Sequence, residues 1–429
     1  MPTRHNDLFG EIANFAALHA AWRKAIQGKR RKPGAAAFTA RLETNLLRLE
    51  RELKDGTWQP GRFVTIEVRD PKHRIVSAAP FRDRVVHHAL CAVVAPIFER
   101  GFIDHSYANR EGKGTHRAVR RYERWRDGHS HVLRCDIYRY FPAIDHAVLK
   151  SDLRRRIACA DTLWLLDTII DGSNPQEPVH LYYPGDDLFT PFTRRRGLPI
   201  GNLTSQFFAN VHLDALDHFA TEVLRAPYLR YVDDFALFAN DPAQLADWRD
   251  RIAGFLARRR LTLHSVKTVI QPSDQPAVFL GYELAPHRRR LAPANVTRFR
   301  NRLRGLRDRW RHGSLNFGDV ETRVGAWIAH ASFAQTWRLR QSIFAGGWFD
   351  PAAAKPGCPP AAGPCGAVPG TTIQGTSAPP TATGTTPATG TRTPVSAWPA
   401  RLHAGAARFK DRTGAPRVRS GMVMTTGGR

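Results

Sequence analysis

Two adjacent carboxylates, Asp233 and Asp234, sit inside an otherwise apolar run, Tyr228-Leu229-Arg230-Tyr231-Val232-Asp233-Asp234-Phe235-Ala236-Leu237-Phe238-Ala239. The aromatic and β-branched residues on either side read as a strand, a tight turn and a second strand. Burying two neighbouring anions in such a hairpin is costly unless cations compensate them. Divalent metal is one compensation, because paired acidic oxygens suit Mg2+ that also bridges substrate phosphates. A solvated Asp-Asp turn is the other reading of the same spacing. A buried strand at Val132-Leu133-Arg134-Cys135-Asp136-Ile137 offers a third carboxylate, Asp136. Alone, an Asp at a strand end is usually a turn or cap residue. Three carboxylates brought together by two strands are what nucleotidyl transfer needs. One metal activates a primer hydroxyl and the other holds the triphosphate.

The elements around these residues follow from periodicity and punctuation. Residues 8 to 55 read as helices, with Leu46, Leu47 and Leu49 apolar on a basic background and Gly56 as a stop. A strand over 62–68 leads to the basic turn Pro71-Lys72-His73-Arg74, then to a helix from Asp83 to Glu99. The 147–171 segment is mostly helical, 172–196 is an irregular Pro-rich loop, and 205–224 is one long apolar helix. After the 228–239 hairpin come a helix over 242–259 and short strands at 261–263 and 278–284. A basic helical region with Trp310, Trp327 and Trp337 spans 294–345. From Pro351 the chain turns to Pro, Gly, Ala and Thr. Such a composition buries too little apolar surface to offset chain entropy, so 351–429 reads as disordered with a basic end.

The 429 residues hold 64 Lys+Arg against 38 Asp+Glu, a formal net charge of +26. That imbalance points to a polyanionic partner, most often nucleic acid. Arg-rich usage in a GC-rich genome would also raise the count without removing the charge. Five scattered cysteines lack paired CxxC spacing, which argues against structural zinc and for reduced thiols in a cytosol. Because no apolar run reaches roughly 18 residues, no membrane span is expected, and the N-terminus lacks an apolar signal core. A cytoplasmic location is the expectation.

Five motifs in order give the chain a clear resemblance to reverse transcriptases over residues 60–345. Arg134 to Phe141 resembles the first palm motif, and Gly197-Leu198-Pro199-Ile200-Gly201-Asn202-Leu203-Thr204-Ser205-Gln206 the motif that opens the template-contacting helix. Tyr231-Val232-Asp233-Asp234 resembles the catalytic hairpin. Leu261 to Thr268 with Lys267, then Phe279-Leu280-Gly281-Tyr282, resemble the next two. The resemblance implies an α+β right hand. Fingers and palm over 61–285 (an antiparallel sheet plus helices) follow an N-terminal helical extension over 1–60. A helical thumb over 286–350 and the 351–429 tail complete it.

The resemblance also assigns roles. Asp136, Asp233 and Asp234, with the backbone of Ile137, hold two Mg2+ ions, for which Mn2+ can substitute. Phe141 matches the steric gate that selects deoxynucleotides; a core Phe is its plain alternative. Lys72, Arg74 and Arg110 match the fingers cations on the incoming dNTP, with ordinary surface charge as the alternative. Lys267 matches a general acid for pyrophosphate, or is a solvated Lys. Gly201 lets the backbone approach a base pair, beside Ile200 and Gln206. Tyr231, Phe279, Leu280, Gly281 and Tyr282 contact primer and template. Thumb arginines such as Arg300 and Arg304 would track the RNA–DNA hybrid through its phosphates.

The Gly-Asn-Leu-Thr-Ser-Gln form is most similar to reverse transcriptases of bacterial diversity-generating retroelements, which copy a template-repeat RNA with errors at adenines. Ile200 stands where many such polymerases carry Gln, and it cannot hydrogen-bond near the nascent pair; lineage drift at a packing position is the alternative. A small basic accessory protein is an implied partner. Read one base back, Thr381 to Thr391 could encode an AAC-rich repeat, as if the frame ran through its own template; an ordinary linker is the alternative. Defence-associated, retron-like and group II intron enzymes are competing readings, although neither a maturase domain nor an HNH motif is evident. A catalytically silent RNA-binding protein is the reading from another class, and the three intact carboxylates weigh against it.

Overall fold

The computed structural model describes residues 3–68, 74–173, 178–345 and 348–349. The described residues form two compact units, one up to residue 280 with 284–287, the other of 281–283 and 288–349.

In the first unit, helices Phe15–Ala25 and Leu42–Lys54 carry apolar residues at helical spacing. Leu46, Leu49 and Leu53 are buried while Leu47 faces solvent, so the 3.6-residue period overrides the plain run of leucines. Both helices share a core with Phe81–Glu99, which buries Val85, Val86, Ala89, Leu90 and Val94. The residues before Gly61 therefore belong to the body of this unit.

Two antiparallel strands, β1 (Val64–Val68) and β2 (Arg74–Ala78), make a separate ribbon. The main sheet contains β3 (His131–Asp136), β4 (Tyr228–Tyr231), β5 (Asp234–Ala239) and β6 (Val269–Pro272), in the order β4-β5-β3-β6. All its pairings are antiparallel. Helix Pro242–Arg258 lies against β3 and β5.

The long apolar helix starts at Leu203 and ends at His218, then widens into a π-turn over Phe219–Val223. Phe219 stacks on Phe255 at 4.5 Å there, and Thr221 Oγ1 donates to the Asp217 carbonyl. The expected strand at 261–263 is absent. That stretch makes one bridge, Leu263 to Ile137, because β3 stops at Asp136 and the chain turns at Arg139, where φ is +46°. The strand forms later, at β6.

Strands β7 (Ala277–Phe279), β8 (Tyr282–Ala285) and β9 (Arg288–Leu291) carry the chain from the first unit to the second. The expected single strand over 278–284 is broken at Leu280 and Gly281, both at positive φ. In the second unit, helices Pro293–Arg311, Phe317–Ala331 and Trp337–Phe344 enclose Phe299, Leu303, Trp310, Val320 and Ile328. Phe299 and Trp327 stack in parallel at 3.6 Å. Arg300, Arg302, Arg304 and Arg309 remain on its exposed surface. Among the described residues no helix is long and apolar enough to cross a membrane. The tail from Asp350 on, including the 381–391 repeat, lies outside the described residues.

Candidate active site

Strand register brings the carboxylates together. Asp136 ends β3 directly opposite Asp234, the first residue of β5, and Asp233 precedes it in the turn. The Ile137 N–H donates to the Asp233 carbonyl at 3.2 Å, and the His264 N–H to the Asp136 carbonyl at 2.8 Å. Burial pushes the Asp234 carboxyl up to about 7; Arg134 pulls it down, while Asp233 and Asp136 push it further up. Asp233 is raised by burial and then by Asp136, against Lys267 and Arg74. These are the signatures of anions gathered in a low-dielectric site.

Lys267 Nζ sits 2.7 Å from Asp136 Oδ1. Its ammonium supplies positive charge where a divalent ion would supply it. Among the described residues no three acidic, histidine or cysteine side chains already converge as a metal cage. The donor set nevertheless fits a hard cation: carboxylate oxygens, held together by register and short of compensating charge.

The turn itself is strained. Val232, a β-branched residue, has φ +60°, which needs support from its surroundings. Arg230 supplies it. Its Nη1 donates to the Val232 carbonyl at 3.0 Å, and its Nε and Nη2 make a bidentate pair with Asp217 at 2.7 and 2.6 Å. Ser106 Oγ, Asn210 Oδ1 and the Tyr228 hydroxyl complete the network. Arg230 and Asp217 are both fully buried. Neither was singled out from sequence, although an Arg within an apolar strand is a signal that a buried acid must face it.

The expected nucleotide-contacting residues separate into groups. Arg74, at the exposed start of β2, lies near enough to lower Asp233. Lys72 lies outside the described residues. Arg110 is not placed to take a triphosphate. Its Nε donates to Glu99 at 2.7 Å and its Nη1 to the Ile103 and Ser106 carbonyls, so it braces its own loop. Phe141 is half-buried at the start of the short helix Tyr140–Ala143, and its carbonyl accepts from the Leu198 N–H.

Gly201 has φ +109°, and a Cβ there would stand 2.7 Å from Val76 Cγ1. Its close approach is thus to the β1–β2 ribbon. The Ile200 carbonyl accepts from Ser77 N–H, and Asn202 bonds both Ala79 N–H and the Ser77 carbonyl. Gln206 is half-buried in the first helical turn. The Tyr231 hydroxyl accepts from Thr115 at 3.2 Å.

Two residues expected at the primer have their rings turned inward. The Phe279 ring is buried against Tyr122 at 4.8 Å. Tyr282 is buried within the second unit, its hydroxyl donating to the His330 carbonyl at 3.0 Å. Alternation of apolar side chains about a turn drives both rings inward and leaves Leu280 and Gly281 half-exposed.

The family described as reverse transcriptase (RNA-dependent DNA polymerase) matches residues 66–284, from β1 to β8, leaving out the helices before Gly61 and those after β9. This chain belongs to the reverse transcriptase family. As a reverse transcriptase its class is RNA-directed DNA polymerase. It is 27% identical over 304 residues to protein YkfC of Escherichia coli, covering 60% of this chain and 75% of YkfC. It is 21% identical over 314 residues to the group II intron-encoded protein LtrA of Lactococcus lactis, covering 57% of this chain and 50% of LtrA. This reverse transcriptase thus spans about half the length of LtrA. Among solved structures, telomerase from Candida albicans with a fragment of telomeric RNA matches at 15% identity and a TM-score of 0.39, over 57% of this chain and 49% of that one.

Proposed function

We propose that this reverse transcriptase copies an RNA template into cDNA for a diversity-generating retroelement, with errors concentrated at template adenines. The observation that carries the chemistry is the register of Asp136 against Asp234, with Asp233 in the adjoining turn. These three side chains and the Ile137 carbonyl would hold two Mg2+ ions. When bound, such ions activate the primer 3′-hydroxyl and stabilise the departing pyrophosphate. Lys267, displaced from Asp136, becomes available to protonate that pyrophosphate. Arg74, with Lys72, pairs with the triphosphate of the dNTP, and Phe141 excludes a ribose 2′-hydroxyl. The arginines of helix Pro293–Arg311 contact phosphates of the RNA–DNA hybrid, reading shape and not sequence.

Support for the retroelement subtype lies in Ile200 and the Gly201-to-Gln206 motif. A side chain that offers shape but no hydrogen bond relaxes selectivity at the nascent pair. A group II intron-type enzyme is the second reading, favoured by the likeness to LtrA over 57% of the chain.

The test is cDNA synthesis with Mg2+ on an adenine-rich RNA, with the products sequenced. Asp233→Ala is expected to lower the rate at least about 10³-fold, as befits loss of a metal ligand. Errors clustered opposite adenine support the retroelement reading, and evenly accurate cDNA selects the intron type. Failure of the wild type to make cDNA, even with the accessory protein added, would leave an RNA-binding role.

A further inference from the structure

The loop from Pro178 to Arg196 presents an unusual surface. Tyr182, Leu188, Phe189 and Phe192 are 54%, 68%, 69% and 61% exposed within eleven residues. Large apolar side chains scattered singly on a surface need no explanation, but a cluster does. The loop is also built. Asp187 Oδ1 accepts from the Phe189 and Thr190 N–H groups at 2.9 and 2.7 Å. The Asp186 carboxylate accepts from Tyr183 N–H and pairs with Arg194, whose guanidinium lies over the Tyr183 ring. Tyr182 donates to the Leu188 carbonyl, and Phe192 stacks on His180 at 4.8 Å. The rings are held in place without being buried.

Cations flank them. Thr190 opens into a basin of about 370 Å3 whose walls include Lys150, Arg194, Arg195 and Arg260, against the carboxylates Asp145 and Asp171. The loop also adjoins the candidate active site. Arg139 Nη1 donates to the Pro178 carbonyl, Thr262 donates to the Tyr183 hydroxyl, and the loop ends where Gly197 and Leu198 bond the Ile144 and Phe141 carbonyls.

We propose that this loop is a stacking platform for single-stranded RNA, the uncopied part of the template, with Tyr182, Phe189 and Phe192 receiving bases and the exposed Arg195 a phosphate. It rests on the reading of the chain as a template-directed polymerase. Rings separated by polar and charged residues suit successive bases, each with its own π-face, better than one continuous apolar protein contact. Lys150, Arg194 and Arg260 are paired with Asp171, Asp186 and Asp145, which leaves Arg195, 63% exposed, as the cation best placed for a backbone phosphate. A protein partner is the alternative occupant.

The decisive variant is Tyr182→Ala/Phe189→Ala/Phe192→Ala in the full chain. Its exposed substitutions leave the fold intact, which circular dichroism and thermal melting check. Fluorescence anisotropy with an unstructured 20-nucleotide RNA is expected to show at least about tenfold weaker binding, from stacking lost at up to three bases. A blunt RNA–DNA duplex should bind as before. Equal RNA affinity for variant and wild type overturns the platform, as does a parallel loss for duplex and single strand. Unchanged RNA binding together with lost binding of a protein partner also overturns it. Because the binding assay needs no catalysis, a chain that made no cDNA would defeat the polymerase reading and leave this result legible.

Discussion

The molecule contains two antiparallel strand pairs of similar length, and their surroundings make them opposites. Among the described residues ribbon β1–β2 joins no other strand, pairing from Val64↔Ala78 to Val68↔Arg74, and every residue of β1 is exposed. Hairpin β4–β5 has β3 along its far edge and buries nearly every side chain. A lone two-stranded ribbon is marginal in water. The first is fixed from outside, by Ile200, Gly201 and Asn202 meeting Val76, Ser77 and Ala79. The second is fixed from inside, by an ion pair that holds a strained turn. A strand's sequence sets its local form; its neighbours decide whether it becomes a rigid mount or an exposed flap.

Breaking the internal brace should have the largest effect on stability. Arg230→Met leaves Asp217 buried without its partner and is expected to cost about 3–5 kcal/mol in chemical denaturation. Replacing both, Arg230→Met with Asp217→Leu, should recover part of that loss. A cost below 1 kcal/mol for the single change would show that the turn does not depend on the pair.

Behind the same brace, burial and then Asp217 push the Asp214 carboxyl up to about 6, against His218, Arg230 and Arg156. A raised carboxyl favours the folded state fully below about pH 4, and that contribution is lost as pH rises through 6. Asp214→Asn should therefore gain on the wild type between pH 4 and 7, by at most about 3 kcal/mol. Parallel stability curves across that window would refute the burial argument.

Gly201→Ala tests the external fixing. A Cβ at φ +109°, 2.7 Å from Val76 Cγ1, should cost about 1–3 kcal/mol in thermal melts. Adding Val76→Ala should relieve the contact but not the backbone strain. The smallest effect belongs to the open face: Ile66→Thr on β1 should change stability by no more than about 0.5 kcal/mol. A larger loss would mean that this face is covered.

Sequence made the strand–turn–strand around Asp233 legible, because apolar runs and turn residues are local signals; its meeting with the Asp136 strand followed only from the order of the motifs. Helix Leu203–His218 was legible for the same reason. Partners were not. Nothing local tells that Lys267 meets Asp136, that Arg110 folds back on Glu99, or that Asp217 answers Arg230 from 13 positions away. Phe279 and Tyr282 were assigned to the primer by motif, and their burial depends on Tyr122 and His330, far off in the chain. The strand at 269–272 was missed because Gln271 and Pro272 dilute its pattern, whereas Leu261 and Leu263 imitate one.

Strand β3 lies between two partners that are both made long after it. Asp136 leaves the ribosome 98 residues before Asp234, and Arg134 leaves 135 residues before Val269. At about 5–20 residues per second, the strand spends roughly 5–20 s with both edges open before β5 arrives. An apolar strand with unpaired edges is a template for association with other nascent chains. The centre of the sheet, the most secure place in the finished molecule, is therefore its weakest point during synthesis, and the soluble yield of this protein should rise with chaperone supply and with lower growth temperature.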